Sequence, residues 1–340
     1  MKVGIVGASG YTGGELLRLL LRHPEVEITV LTAERHKGRK PEEVFGSLRG
    51  MDLPEFSPFE PEVIERADLF FLALPHGTAM RAAKEILQKG KRVIDLSADF
   101  RFRDPEVYEK WYGQHECPEL LPEAVYGLPE LYREQIRGAR LVANPGCYPT
   151  SVLLALLPLA ERGMIDGPII VDSKSGVSGA GRGLQEGTLF CEVAESVRAY
   201  GVLRHRHIPE MEGQLGRLTG QRTRVYFVPH LIPMNRGILS TIYVNLKSNM
   251  GDGDLYALYL ERFQKEPFIR ICPPGTFPST ASVRGSNFCD IGFTTQGNKA
   301  VIVSAIDNLT KGASGQAVQN MNIMLDFPET LALETTPLFP

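Results

Sequence analysis

The stretch "KVGIVGASGYTGGELLRLLLRHP", Lys2 to Pro24, decides the fold. Lys2 to Val6 reads as a buried strand, followed by a glycine-rich turn and then a helix. In that helix Leu16, Leu17, Leu20 and Leu21 recur at near-helical spacing, and Pro24 sets its end. Gly7, Gly10 and Gly13 occupy the turn. Glycines there let the main chain bend sharply and approach a pyrophosphate, whose charge sits at the helix N-terminus. The spacing is GxxGxxG, not GxGxxG, and a tight strand–helix turn without ligand is the other reading.

Working outward, further β-rich runs follow: "VEITVLTA" (26–33), "ADLFFLALP" (67–75), "KRVIDLSADF" (91–100) and "ARLVANPGC" (139–147). A helix is expected over about 77–89. Strands alternating with helices mean βαβ units and a doubly wound parallel sheet. After Cys147 the pattern changes. "GPIIVDSKSGVSGAG", "TRVYFVPHLIPMNRGILSTIYVNLK" and "NKAVIVSAIDNL" are long β-rich segments, which predicts an α+β domain with a large mixed sheet. The division expected is 1–146, then 147–311, with a last helix beginning in "GASGQAVQNMNIMLDF" (312–327) and the segment 312–340 packing back on the first domain.

A chain of 340 residues suits two domains, and 43% hydrophobic with 23% charged residues is ordinary for a globular protein. A net charge of -3 and a pI near 6.2 give no electrostatic case for nucleic acid or an anionic membrane. The longest apolar runs are too short to span a bilayer, and the N-terminus lacks a secretory signal. Five cysteines without close pairs argue against a disulfide framework and against a zinc site or other metal. The expected setting is the cytoplasm, with free thiols.

The second β-run ends "TAERHKGRK". An acidic residue there binds a ribose hydroxyl and an arginine a 2′-phosphate, and here Glu34 and Arg35 stand side by side. Lys37, Arg39 and Lys40 tip the reading toward NADP, although a solvated basic loop reads the same way. "NPGCYPTSVLLALLPLAERG" (144–163) sets Cys147 just ahead of an apolar helix expected from about Thr150. At a helix N-terminus a thiolate is stabilised by free N–H groups and the helix dipole. A cysteine is also a small buried residue in many turns, so the segment alone leaves both readings open. "LRHRHIPEMEGQL" offers His205 and His207, with Pro209 at a helix start and Glu210 in its first turn. His76, at the end of a parallel strand, and His230 are further candidates. "SKSGVSGAGRGL" (173–184) combines serines and glycines with Lys174 and Arg182, which suits a phosphate or carboxylate or else a plain linker.

The ordered set "GASGYTGGELLRLL", "ALPHG", "DLSADFR", "NPGCYPT", "SGVSGAGR", "HRHIPE" and "AIDNLTKG" resembles the N-acetyl-γ-glutamyl-phosphate reductases, the arginine-biosynthesis branch of the aspartate-semialdehyde dehydrogenase superfamily. The resemblance runs over essentially the whole chain. It implies a Rossmann-type α/β domain and a second α+β domain that binds substrate and forms subunit contacts. It places Ser9, Gly10, Tyr11 and Thr12, with Gly7 and Gly13, at the phosphates of NADP and Arg35 at the adenosine end. Glu34 departs from the small polar residue usual beside that arginine. Pro75 and Ser97 also fall to the cofactor, and Asn308 to the nicotinamide. Cys147 is then the acyl-accepting nucleophile and His207 the acid/base. Lys174, Ser178, Arg182, Arg206 and Glu210 are the substrate candidates, with Arg236 a further anion contact. The partners implied are a small acyl phosphate and a second or further copies of the chain, as homodimer or homotetramer. The competing readings are the homologous reductase of a carrier-bound aminoadipate phosphate, a plain aspartate-semialdehyde dehydrogenase, and a non-enzymatic dinucleotide sensor.

Overall fold

Six parallel strands make the first sheet, in the order β2-β1-β3-β4-β6-β5. The computed structural model describes residues 1–338 and separates into two units, Met1–Gly146 with Ala313–Glu334, and Cys147–Gly312 with the chain from Thr335. In the first unit β1 (Lys2–Val6), α1 (Tyr11–Leu20), β2 (Glu27–Thr32), β3 (Leu69–Leu72), α2 (Ala79–Gln88) and β4 (Arg92–Asp95) follow in order. Then come α3 (Pro105–Tyr112), β5 (Val125–Tyr126), α4 (Pro129–Ile136) and β6 (Leu141–Ala143). Leu69, Phe70, Phe71 and Leu72 are all fully buried, because helices cover both faces of a parallel sheet and its strands read as unbroken apolar runs. The run 139–147 is a strand only over Leu141–Ala143. Its last residue belongs to a helix.

That helix, α5 (Cys147–Glu161), opens the second unit three residues earlier than the apolar periodicity suggested. Pro149 falls in its first turn, where a missing N–H costs no intrahelical bond. The unit continues with β7 (Ile165–Ser175), β8 (Arg198–Ala199), α6 (Ile208–Thr219), β9 (Val225–Leu231) and β10 (Ile238–Leu246). It is completed by α7 (Asp252–Phe263), β11 (Ile269–Ile271), β12 (Cys289–Gln296) and β13 (Lys299–Ile306). The seven strands run β11-β12-β13-β10-β7-β9-β8, parallel at β11/β12 and β7/β9 and antiparallel elsewhere.

Helix α5 packs on β7, β10 and β13 between α6 and α7, and every residue from Tyr148 to Ala160 is buried. Four hydroxyls join helix to sheet beneath it. Ser151 Oγ donates to Ser240 Oγ at 2.7 Å and lies 3.1 Å from Ser304 Oγ, while Ser173 Oγ is 2.7 Å from Ser240 Oγ. The period of two in β7 therefore turns Val171, Ser173 and Ser175 toward α5, and Ile170, Asp172 and Lys174 to the other face. On that face Tyr243, Ile170 and Tyr226 stand in register across β10, β7 and β9, each more than two-fifths exposed.

Helix α8 (Gly315–Met324) returns to the first unit and packs on α1 and α4. All ten of its residues are buried, including Gln316, Gln319, Asn320 and Asn322. Their amide N–H groups are bonded: Gln316 and Asn320 donate to Gly127 O, Asn320 also to Asn144 Oδ1, Gln319 to Glu329 Oε1, and Asn322 to Glu329 O and Leu331 O. The stretch expected to return was 312–340. The return runs over Ala313–Glu334, and from Thr335 the chain associates with the second unit, where Leu338 N–H donates to Arg284 O. Residues 339 and 340 lie outside the described residues.

Candidate active site

In the first sheet β1 sits between β2 and β3, and the direction of winding reverses there. Open α/β sheets take ligands in the crevice at the carboxyl ends of such a pair. Gly7 directly follows β1, Pro75 follows β3, Ser97 follows β4, and Glu34 and Arg35 follow β2, so the expected cofactor residues of this unit share one edge. Gly7 adopts φ +83°, and a Cβ on it would run into the Ala73 carbonyl. Gly10 is the N-cap of α1 and supplies no side-chain cap. A Cβ there would meet nothing nearer than Gly7 O at 3.7 Å. The N-terminus of α1 is thus open at Gly10, which fits a pyrophosphate. Thr12 O accepts a bond from Ser314 Oγ at 2.9 Å. Glu34 and Arg35 are both exposed, as are Lys37, Arg39 and Lys40, and Arg39 pairs with Glu43 at 3.2 Å.

Behind this edge lies a buried acidic cluster that the sequence reading passed over as part of a strand. Asp99 accepts bonds from Gly77 N–H (2.7 Å), Ala79 N–H (3.1 Å) and the Tyr108 hydroxyl (2.9 Å), closing the start of α2. Asp95 accepts from Ser97 N–H and from Ser97 Oγ at 2.7 Å. Burial, then the neighbouring Asp99, push the Asp95 carboxyl up to about 7. The Ser97 hydroxyl proton is therefore committed to Asp95, and its oxygen accepts Asp99 N–H at 3.1 Å. His76 stands at the expected edge, where Nδ1 accepts Ala98 N–H at 2.9 Å.

In the second unit Cys147 heads α5 and is partly exposed, whereas its neighbours Gly146 and Tyr148 are buried. Reactive thiols stand in such half-open places, and this helix start favours the thiolate. The buried ring of Tyr148 is flanked edge-on by His205 at 5.5 Å, His207 at 5.9 Å and Phe227 at 5.0 Å. Its hydroxyl lies 2.8 Å from that of Tyr200. His207, far away in sequence, thus packs against the ring of the residue that directly follows Cys147. His205 Nδ1 accepts His207 N–H at 3.1 Å, which leaves its proton on Nε2. Burial, reinforced by Arg206, pushes His205 down to about 4, and burial raises Tyr200 to about 12. His207 is the N-cap of α6, with Pro209 and the buried Glu210 in the first turn. Arg206 and Arg182 are exposed.

A second cluster forms around the turn after β13. Asn308, only 2% exposed, accepts Gly237 N–H at 2.7 Å and donates to Ser178 Oγ at 2.9 Å. Asp307 is fully buried and receives Arg236 through Nε (2.9 Å) and Nη2 (3.1 Å), together with the N–H groups of Gly285, Leu309 and Thr310. Arg236, weighed for an anion, is thus committed to this pair. Lys174 also differs from expectation. It lies on the face of β7 turned away from α5, with Nζ 2.7 Å from Asp172 Oδ1 and His230 Nδ1 3.2 Å from the same oxygen. Strand alternation, which charge patterning does not reveal, separates it from the cysteine. Tyr200 lies in no motif, and Tyr148 and Asp307 stand inside "NPGCYPT" and "AIDNLTKG" without a role of their own being legible there.

Two family models match the chain: semialdehyde dehydrogenase, NAD binding domain, over residues 2–139, and semialdehyde dehydrogenase, dimerisation domain, over residues 147–308. The N-acetyl-gamma-glutamyl-phosphate reductase of Geobacter metallireducens is 56% identical, aligned over 100% of both chains. The chain belongs to the N-acetyl-γ-glutamyl-phosphate reductase family. A family member of the same name from Pelotomaculum thermopropionicum is 51% identical over 100% of this chain and 99% of that one. Among solved structures, aspartate semialdehyde dehydrogenase II from Vibrio cholerae matches with a TM-score of 0.74 at 17% identity, over 96% of this chain and 98% of that chain. Aspartate semialdehyde dehydrogenase with NADP from Candida albicans gives 0.70 at 16% identity, over 95% and 97%. These likenesses show that the family's fold is a doubly wound parallel sheet with a second, mixed-sheet domain, as read from the sequence.

Proposed function

We propose that the protein reduces N-acetyl-L-glutamyl 5-phosphate to N-acetyl-L-glutamate 5-semialdehyde and phosphate, with NADPH as reductant, in arginine biosynthesis. One observation carries the site assignment: of the five free thiols, Cys147 alone begins an α-helix, partly exposed, with His207 against the ring of the adjoining Tyr148. The Cys147 thiolate attacks the acyl carbon. A carbon–sulfur bond forms, the carbon–oxygen bond to phosphate breaks, and phosphate leaves with the electron pair, giving a thioester. NADPH, when bound, supplies the hydride that reduces this carbon. Proton transfer through His207 then accompanies re-formation of the carbonyl as the carbon–sulfur bond breaks and returns the thiolate. Gly7, Gly10, Tyr11, Thr12 and Gly13 are the residues to hold the cofactor phosphates, with Ser9 in the same turn and Arg35 toward a 2′-phosphate. Asn308 is held rigidly enough by Gly237 and Ser178 to orient a bound ring. Arg182, Arg206, Ser178 and Glu210 are the groups we assign to the substrate, ahead of Lys174, which faces away from α5 and pairs with Asp172.

The second unit also supports self-association. The row Tyr243, Ile170 and Tyr226 forms an exposed apolar strip on a sheet face, and the family model over these residues is described as a dimerisation domain. Contiguous exposed apolar surface of this kind marks an interface, here with a second copy. The described residues contain no helix long and apolar enough to cross a membrane, and five free thiols fit a reducing cytoplasm.

The test is the reverse reaction, run with N-acetylglutamate semialdehyde, phosphate and NADP or NAD in turn, and compared with a carrier-bound aminoadipate semialdehyde. Free substrate with NADP is expected to turn over fastest. Cys147→Ser is expected to lose nearly all turnover while NADPH binding persists, and normal turnover in that variant would sink the scheme. A non-enzymatic dinucleotide sensor would show no protection of Cys147 from alkylation by the acyl phosphate.

A further inference from the structure

Gly312 occupies a π-type turn, Thr310–Ser314, just after the Asp307–Asn308 cluster. Single π turns are uncommon and recur at functional sites. The residue's φ is not in the left-handed region, so no conformational demand requires a glycine there. Space does. A Cβ placed on Gly312 would come 2.9 Å from the Cβ of Cys147, against about 3.5–4.0 Å for an ordinary carbon contact. Either the cysteine or the turn would have to give way by roughly half an ångström or more.

The turn is poorly placed to give way. Gly312 N–H donates to Asp307 O at 2.9 Å, and the Asp307 carboxylate is gripped by Arg236 and three backbone N–H groups. Arg236 also donates to Thr310 Oγ1 at 2.9 Å, so the same guanidinium fixes the start of the turn. A Cβ on Gly312 would in addition sit 3.3 Å from Asp307 O and 3.3 Å from Ile306 Cδ1. The yielding side is the cysteine. Cys147 is partly exposed at the first residue of α5, ahead of the buried run Tyr148 to Ala160, so it is the end with room to shift.

We propose that Gly312 is a positioning residue for the nucleophile: bare backbone, locked by the Asp307–Arg236 pair, serves as a backstop to the Cys147 Cβ and sets where the thiol is held. The inference rests on the reading of Cys147 as nucleophile. Effective attack needs the reacting atoms within a few tenths of an ångström of their best geometry, so a small displacement acts on kcat more than on KM.

The experiment places Gly312→Ala in three backgrounds: wild type, Cys147→Ala, which keeps the Cβ, and Cys147→Gly, which removes it. In wild type, kcat is expected to fall about tenfold or more with KM within about threefold and NADPH affinity unchanged. The thermal midpoint is expected to drop equally in wild type and in Cys147→Ala, and by less than half as much in Cys147→Gly. Should Gly312→Ala fail to fold, recovery of folded protein by Cys147→Gly but not by Cys147→Ala carries the same meaning. An equal loss of midpoint in all three backgrounds, recovery by neither, or a kcat within twofold of wild type overturns the proposal. The stability comparison needs no turnover. If Cys147→Ser proves fully active, the catalytic reading fails while the contact is still measured.

Discussion

The part-buried His205 and the fully buried Asp95 pull the stability of the protein in opposite directions as pH changes. His205 sits near 4 in the folded chain against 6.5 when solvated. The unfolded state therefore binds its proton first, and the stability present above pH 6.5 is lost as pH falls toward 4. His205→Asn keeps an acceptor for His207 N–H and cannot titrate, so its midpoint should decline less over that window in calorimetry. Asp95, raised to about 7 from 3.8, works the other way. Its neutral form is favoured in the fold, a contribution complete below pH 3.8 and lost as pH rises through 7. Asp95→Asn should flatten the decline of the midpoint between pH 5 and pH 8; a slope equal to that of wild type would contradict the assignment. Both histidines of "HRHIPE" were legible as candidates, because adjacent polar and turn residues ahead of a proline mark a helix start. The tyrosines beside them were not. Tyr200 meets Tyr148 only through the tertiary fold, and no local pattern reports that.

Helix α5 shows what patterning gives and where it stops. Its apolar run announced a buried helix, but the register of its first turn depends on Pro149 being tolerated there, which moves Cys147 from ahead of the helix to its first residue. Beneath it, Ser151, Ser173, Ser240 and Ser304 come from four elements and look unremarkable one at a time, yet all are fully or nearly fully buried. Removing the shared partner with Ser240→Ala should cost about 1–3 kcal/mol in urea unfolding, because buried hydroxyls lose a bond. The Asp307–Arg236 pair carries more. Arg236→Met leaves a buried carboxylate without its cation and should cost about 3–5 kcal/mol, read by the same measurement. Lys174 is the converse lesson. A lysine in a Gly/Ser-rich segment reads as an anion contact, but a period of two placed it on the outer sheet face beside Asp172 and His230.

For the whole molecule, the alternation of strands and helices before Cys147 and the β-rich grammar after it were enough for the architecture. Helix α8 was visible as a helix, but not as one whose amides are all enclosed, since Gly127 and Asn144, which receive those of Gln316 and Asn320, lie far back in the chain. The outer sheet face makes a prediction at this scale. Tyr226→Asp with Tyr243→Asp puts charge into the exposed apolar row, and light scattering should show the assembly shifting to a single chain. An unchanged mass would place the subunit contact elsewhere. A last consequence follows from the two residues that bound the main segment of the second unit, Cys147 and Gly312, being near neighbours in space. That segment is an insertion whose ends meet, the arrangement under which one domain is most easily carried inside another. During synthesis the six-stranded sheet emerges first, yet it lacks α8 until the whole insertion has been made. The sheet made early waits for a helix made late.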